Sequence, residues 1–108
     1  MSALVVLVTA PSTDAALSLG RALVDERLAA CVSVLPGITS IFAWEGKREE
    51  AAEALLVIKT ESRRYAALEQ RVQELHPYSV PEVLALTVEA GSAAYVQWVR
   101  DSVTVEGR

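Results

Sequence analysis

The sequence predicts an α+β fold in which one antiparallel sheet carries helices on one face, and three observations lead there. Segments of strand and helix periodicity follow one another in the order strand, helix, strand, strand, helix, strand, helix. Residues 29–60 read as a single long β-hairpin, with Val32, Val34, Ile38, Ile41 and Phe42 on the first arm and Leu55 to Ile58 on the second. Both arms exceed the average strand of about 5–6 residues. Finally, Leu4 to Val8 and Leu55 to Ile58 are apolar on both alternating faces, as in strands covered on two sides. Two right-handed crossovers that share one hairpin give the split β-α-β, ferredoxin-like sandwich, here a single domain over residues 1–108 with a C-terminal helix.

Each element has its own signal. Ala3 to Ala10 is the first strand, and Pro11-Ser12-Thr13-Asp14 stops it and offers N-cap residues for a helix running to about Arg27. On that helix Ala16, Leu19, Gly20 and Leu23 share a packing face opposite Asp14, Ser18, Arg21 and Asp25. Gly20 there would let the helix sit close to the sheet. In the hairpin, Pro36-Gly37 marks a kink or an edge position, and Trp44-Glu45-Gly46-Lys47 marks the reversal, with Gly46 free to take a positive φ. The second helix spans about Ser62 to Leu75, with Tyr65, Leu68, Val72 and Leu75 at helical spacing. His76-Pro77-Tyr78-Ser79 ends it, because a residue before proline is pushed out of the α region. Val80 to Val88 reads as the last strand, with Pro81 in its first turn. Gly91-Ser92 opens a third helix with Tyr95, Trp98 and Val99 or Ser102 facing inward, and the tail is expected to fray from Thr104.

Composition narrows the function. The 108 residues are 52% hydrophobic and 22% charged, with a formal net charge of −4. That balance argues against a nucleic-acid track, which needs a concentrated basic patch. No run reaches the ~18 apolar residues of a membrane span. Leu4 to Val8 lacks the basic flank and cleavage site of a signal peptide. One cysteine excludes a disulfide framework and makes a reducing cytoplasm the expected compartment.

The helices of the predicted sandwich cover only one sheet face, yet two strands are apolar on both. The second face would be a large exposed apolar patch, which soluble monomers rarely carry. We therefore expect the open faces to pack together in a closed homo-oligomer, with the hairpin arms reaching neighbours.

Few residues could carry chemistry. Cys31 alternates with Val32 and Val34, which places it with Ser33 on the open face. It would be a small buried apolar residue or a soft thiolate ligand for copper or zinc. His76 at a helix C-terminus suits capping first and metal ligation second. One cysteine and one histidine per chain cannot make a three- or four-ligand site, so copies from several subunits would have to converge. No nucleophile elbow, P-loop or dinucleotide fingerprint is present. Asp14, Asp25, Glu45, Glu49, Glu50 and Glu53 read as solvated faces, and the chain is not expected to be an enzyme. Phe42, Tyr78, Tyr95 and Trp98 read as core or interface. Trp44, at the hairpin tip, calls for a neighbour or ligand to cover it.

Several segments together resemble one family. They are Leu28-Ala29-Ala30-Cys31-Val32, Pro36 to Ile41, Trp44-Glu45-Gly46-Lys47, Leu56 to Thr60, His76 to Glu82, and the terminal Gly91, Tyr95 and Trp98. In this order, over nearly the whole chain, they are similar to the CutA (divalent-cation tolerance) family. The resemblance implies a ferredoxin-like homotrimer, similar in architecture to the PII nitrogen-signalling proteins, with hairpins exchanged between subunits. It also implies a role in tolerance to copper and other divalent cations, with Cys31 and His76 on metal-associated positions. Two departures remove hard oxygen ligands: Ser79 stands where an acidic residue is common, and Ala51 and Ala52 thin an acidic cluster.

The resulting expectation is a cytoplasmic homotrimer of metal-ion homeostasis. It would bind Cu(II) or Zn(II) weakly through Cys31, His76 or nearby carboxylates, with no obligatory cofactor and neither nucleic acid nor membrane as partner. The alternative is a PII-like signalling trimer that binds a small anion in inter-subunit clefts. Lys47, Arg48, Lys59 and Arg63 would be its anion contacts, and Trp44 and Tyr78 would line the cleft or hairpin.

Overall fold

The computed structural model describes residues 2–105. Its elements are β1 (Ala3–Ala10), α1 (Thr13–Asp25), β2 (Cys31–Trp44), β3 (Lys47–Glu61), a 3-10 turn (Ser62–Arg64) leading into α2 (Tyr65–Leu75), β4 (Leu84–Thr87) and α3 (Ala93–Val103). The strands form one antiparallel sheet in the order β2-β3-β1-β4.

Alternation along β1 and β3 decides the two faces. Leu4, Val6, Val8 and Ala10 are buried, as are Thr60, Ile58, Leu56 and Ala54, their cross-strand partners in register. They pack against Ala16, Leu19 and Leu23 of α1 and Leu68 and Val72 of α2. Gly20 lies where a Cβ would come within 3.1 Å of Val32 Cγ1, so its missing side chain lets α1 approach β2. Ser12 caps α1, its Oγ accepting from the Ala15 N–H at 3.1 Å. The helix ends at Asp25, slightly before Arg27, whose φ of 59° no longer continues it.

The hairpin is as long as its sequence predicts. Glu45 and Gly46 both take positive φ (49° and 77°), the pairing that matches a tight turn to the strand twist. The β2–β3 register shifts between Leu35 and Ile38, around Pro36-Gly37, where Gly37 has φ 73°. β1 pairs β3 only from Ala54 to Glu61, so the rest of the hairpin projects past the sheet.

Four expectations need correction. The last strand covers only Leu84–Thr87 instead of Val80 to Val88. The Val88 N–H donates to the Ala3 carbonyl, so by alternation the Thr9 carbonyl also points to the β4 side. The His76 imidazole occupies that carbonyl, and a longer β4 has no partner there. On α3 the inward residues are Val99 and Val103, packed with Ala30, whereas Tyr95 and Trp98 are exposed and lie against each other at 5.5 Å. Leu75 is exposed, leaving Leu68 and Val72 as the buried face of α2. Thr104 does not begin a frayed tail. Its hydroxyl donates to the Arg100 carbonyl at 2.7 Å and accepts from Arg63, while its carbonyl accepts from Arg27. The rest of the expected fraying, over residues 106–108, lies outside the described residues.

Candidate functional site

The second face of the sheet carries the candidate site. In-register pairing places Cys31, Lys59, Val5 and Leu86 in one row across the four strands, with Ser33, Val57, Leu7 and Leu84 in the next. Leu84 and Leu86 are 58% and 54% exposed in the single chain, and Leu35 is exposed on β2 at the opposite edge of the sheet. Among the described helices, α3 is the one that packs at this face. Glu61 belongs to it by alternation and accepts a hydrogen bond from Arg100 of α3, so α3 sits over the end where β3 runs out.

Cys31 occupies that end. Its thiol is half-buried beside the Tyr95 hydroxyl; burial, then the neighbouring Cys31, pushes the Tyr95 hydroxyl above its usual pKa. Lys59, opposite Cys31 in register, turns its ammonium away along the strand and donates to Ser33 Oγ at 2.9 Å. The backbone just before Cys31 is fixed twice: the Ala30 N–H donates to the Lys59 carbonyl, and the buried Thr60 hydroxyl donates to the Leu28 carbonyl at 2.7 Å.

His76 lies elsewhere. It is buried, and both ring nitrogens are engaged: Nδ1 accepts from the Tyr78 N–H at 3.0 Å, and Nε2 meets the Thr9 carbonyl at 2.7 Å. With Nδ1 accepting, the proton sits on Nε2, which donates to Thr9. The ring therefore clamps the α2–β4 connection to β1 instead of capping α2. Cys31 is level with Val5 and His76 with Thr9, roughly 13 Å apart along β1 at ~3.3 Å per residue. One chain does not bring them together. Among the described residues no group of three or more His, Cys, Asp or Glu converges as a metal centre.

Trp44, 63% exposed, and Tyr78 do share a cleft. It encloses about 700 Å³ between the projecting hairpin and the α2–β4 loop and is lined by Phe42, Trp44, Glu49, Tyr78 and Val80. The Tyr78 hydroxyl donates to Glu53 at 2.9 Å, which ties the loop to β3; burial and then that carboxylate raise its pKa. The four basic residues of the anion reading are scattered within the chain. Lys47 and Lys59 stand roughly 40 Å apart along β3, Arg48 faces Glu50 near the tip, and Arg63 is held by Glu61.

Glu61 is the residue that sequence reasoning missed, while Tyr95, read there only as core or interface, proves to neighbour Cys31. Glu61 is 1% exposed, and its two oxygens accept from Arg63 at 2.7 Å and Arg100 at 2.9 Å. Its only sequence signal is a glutamate ending an apolar strand two residues before an arginine.

The chain is thus a small α+β protein whose described residues form four antiparallel strands and three helices, with the second sheet face largely uncovered. Residues 4–102 match the model of the CutA1 divalent ion tolerance protein family, and the chain belongs to that family. It is 47% identical over 98 residues to the divalent-cation tolerance protein CutA of Thermus thermophilus, covering 91% of this chain and 95% of that one. It is 50% identical over 105 residues to the human protein CutA, but spans only 59% of that longer chain. The solved structure of CutA1 from Oryza sativa superposes with a TM-score of 0.93 at 41% identity, over 96% of this chain and 95% of that one.

Proposed function

We propose that this chain is one ferredoxin-like subunit of a homotrimer that serves the response to copper and other divalent cations. It binds Cu(II) or Zn(II) weakly and catalyses no reaction. The observation that carries this reading is the uncovered apolar face with Cys31 at its edge. An exposed face of this kind is stabilised by burial against further copies, and the family's name supplies the response to divalent ions. A thiolate is a soft ligand suited to copper or zinc. Because one subunit offers a single cysteine and a single histidine, several subunits supply the ligand set and no cofactor is obligatory. His76 can ligate through Nδ1 only after releasing the Tyr78 N–H, so Cys31 is the primary ligand. The working compartment is the cytoplasm, and the partners are other copies of the chain and the metal ion.

Calorimetric titration of the assembled protein with Cu(II) and with Zn(II) tests this. Binding should weaken at least about tenfold in Cys31→Ala, the scale of one lost ligand interaction, and less in His76→Ala. Undiminished binding in the double variant would remove both residues as ligands. A thermal shift with nucleotides or carboxylates and none with metal would favour the anion-binding reading instead.

A further inference from the structure

We propose that α3 is a cover over the Cys31 edge of the sheet, latched by the buried carboxylate of Glu61 and able to lift away while the sheet stays folded. Three observations carry it. The apolar attachment of α3 is small: Val99 and Val103 bury against Ala30 in a cluster separate from the main core. An open groove of about 540 Å³, lined by Ala3, Val88, Val96 and Arg100 among others, runs along one flank of the helix, so that flank is not packed down. The polar attachment is a small network centred on Glu61 and Arg63. Glu61 accepts from Arg100 of α3 on one oxygen and from Arg63 on the other, and Arg63 also donates to the Arg100 carbonyl and the Thr104 hydroxyl. Arg27, at the end of α1, adds a bond to the Thr104 carbonyl.

The geometry makes Glu61 a positioning residue. Removing the charge of this buried carboxylate leaves one neutral acceptor oxygen for two guanidinium groups, so charge-assisted bonds, the strong class of hydrogen bond, are lost. Losing them releases α3 from β3, while the α1/α2 face of the sheet keeps its own core. The thiol beside Tyr95 is what α3 uncovers when it lifts. This rests on the reading of Cys31 as a ligand only in saying why the cover matters. The cover itself is tested without metal, so the two can fail separately.

The chain has one cysteine, so thiol labelling reports a single position. The assembled protein is reacted with Ellman's reagent without denaturant, and amide exchange of α3 and of β1 and β3 is followed in parallel. Glu61→Gln keeps the shape and removes the charge, and Arg100→Gln removes one arm from a half-exposed position should the first variant not fold. We expect labelling to accelerate about ten- to a hundredfold in Glu61→Gln and by less in Arg100→Gln, with α3 amides exchanging faster and sheet amides unchanged. Wild-type labelling rates in the folded variants would overturn the proposal. So would acceleration in which sheet and α3 amides speed up together, because that is global unfolding.

Discussion

His76 Nε2 and the Thr9 carbonyl oxygen lie 2.7 Å apart, and this contact sets both the length of β4 and the path of the loop that follows α2. With Nδ1 bound to the Tyr78 N–H, the imidazole satisfies two backbone groups at once. His76→Ala leaves both without that partner and is expected to cost about 1–3 kcal/mol, read by chemical denaturation. Loss below ~0.5 kcal/mol would mean that the clamp is not structural.

Thr60 tests how Cys31 is held. Its hydroxyl is buried and donates to the Leu28 carbonyl at 2.7 Å, three residues before the cysteine. Thr60→Val keeps the volume and strands that carbonyl, with an expected loss of about 1–2 kcal/mol. Thr60→Ser, which keeps the donor, should recover part of it. Equal denaturation midpoints for Val and Ser would contradict the assignment.

At Gly20 two effects oppose each other. Alanine gains about 1 kcal/mol of helix propensity, but its Cβ would stand 3.1 Å from Val32 Cγ1. Val32 is on the edge strand and can give way, so Gly20→Ala should change stability by less than ~1 kcal/mol. Gly20→Leu overfills the contact and should cost about 1–3 kcal/mol. A harmless leucine would show that α1 does not pack closely on β2.

All three tyrosines hold their protons more tightly in the fold than in the unfolded chain. Burial, then the Glu69 carboxylate that accepts its hydroxyl, pushes Tyr65 from 10 up to about 12; Tyr78 and Tyr95 are raised as well. Because the folded pKa lies above the unfolded one, this stabilisation is complete below pH 10 and is lost as pH rises from 10 toward 12. Ultraviolet titration of the native protein should show tyrosine ionisation displaced above 10, and Tyr65→Phe should remove the latest step. A single transition at 10 would contradict the partial burial and hydrogen bonding that raise these hydroxyls.

The strands and the first two helices were legible because burial follows alternation and 3.6-residue spacing within one segment. All four residues assigned to the packing face of α1 are buried, and β1 spans the residues its apolar run marks. What was not legible depends on residues far apart in sequence. β4 is cut short by a histidine bonded to a strand 67 residues away. Of the inward face expected for α3, Tyr95 and Trp98 are exposed and Val99 is buried, with Val103 beside it against Ala30. Glu61 carries little local signal because Arg100, its partner on α3, lies 39 residues on. Cys31 was placed on the correct face by alternation alone, whereas its neighbour Tyr95 comes from α3 and left no local signal.

In the proposed homotrimer the uncovered face, with Leu84 and Leu86 side by side with Leu7 and Val5 in the sheet, is buried between copies of the chain. Sedimentation equilibrium at micromolar concentration tests it most directly, on the wild type and on Leu84→Glu/Leu86→Glu, which sets two charges on that face. The wild type should sediment at three chain masses and the variant should shift toward one. A wild-type protein that sediments as a single chain would contradict that burial.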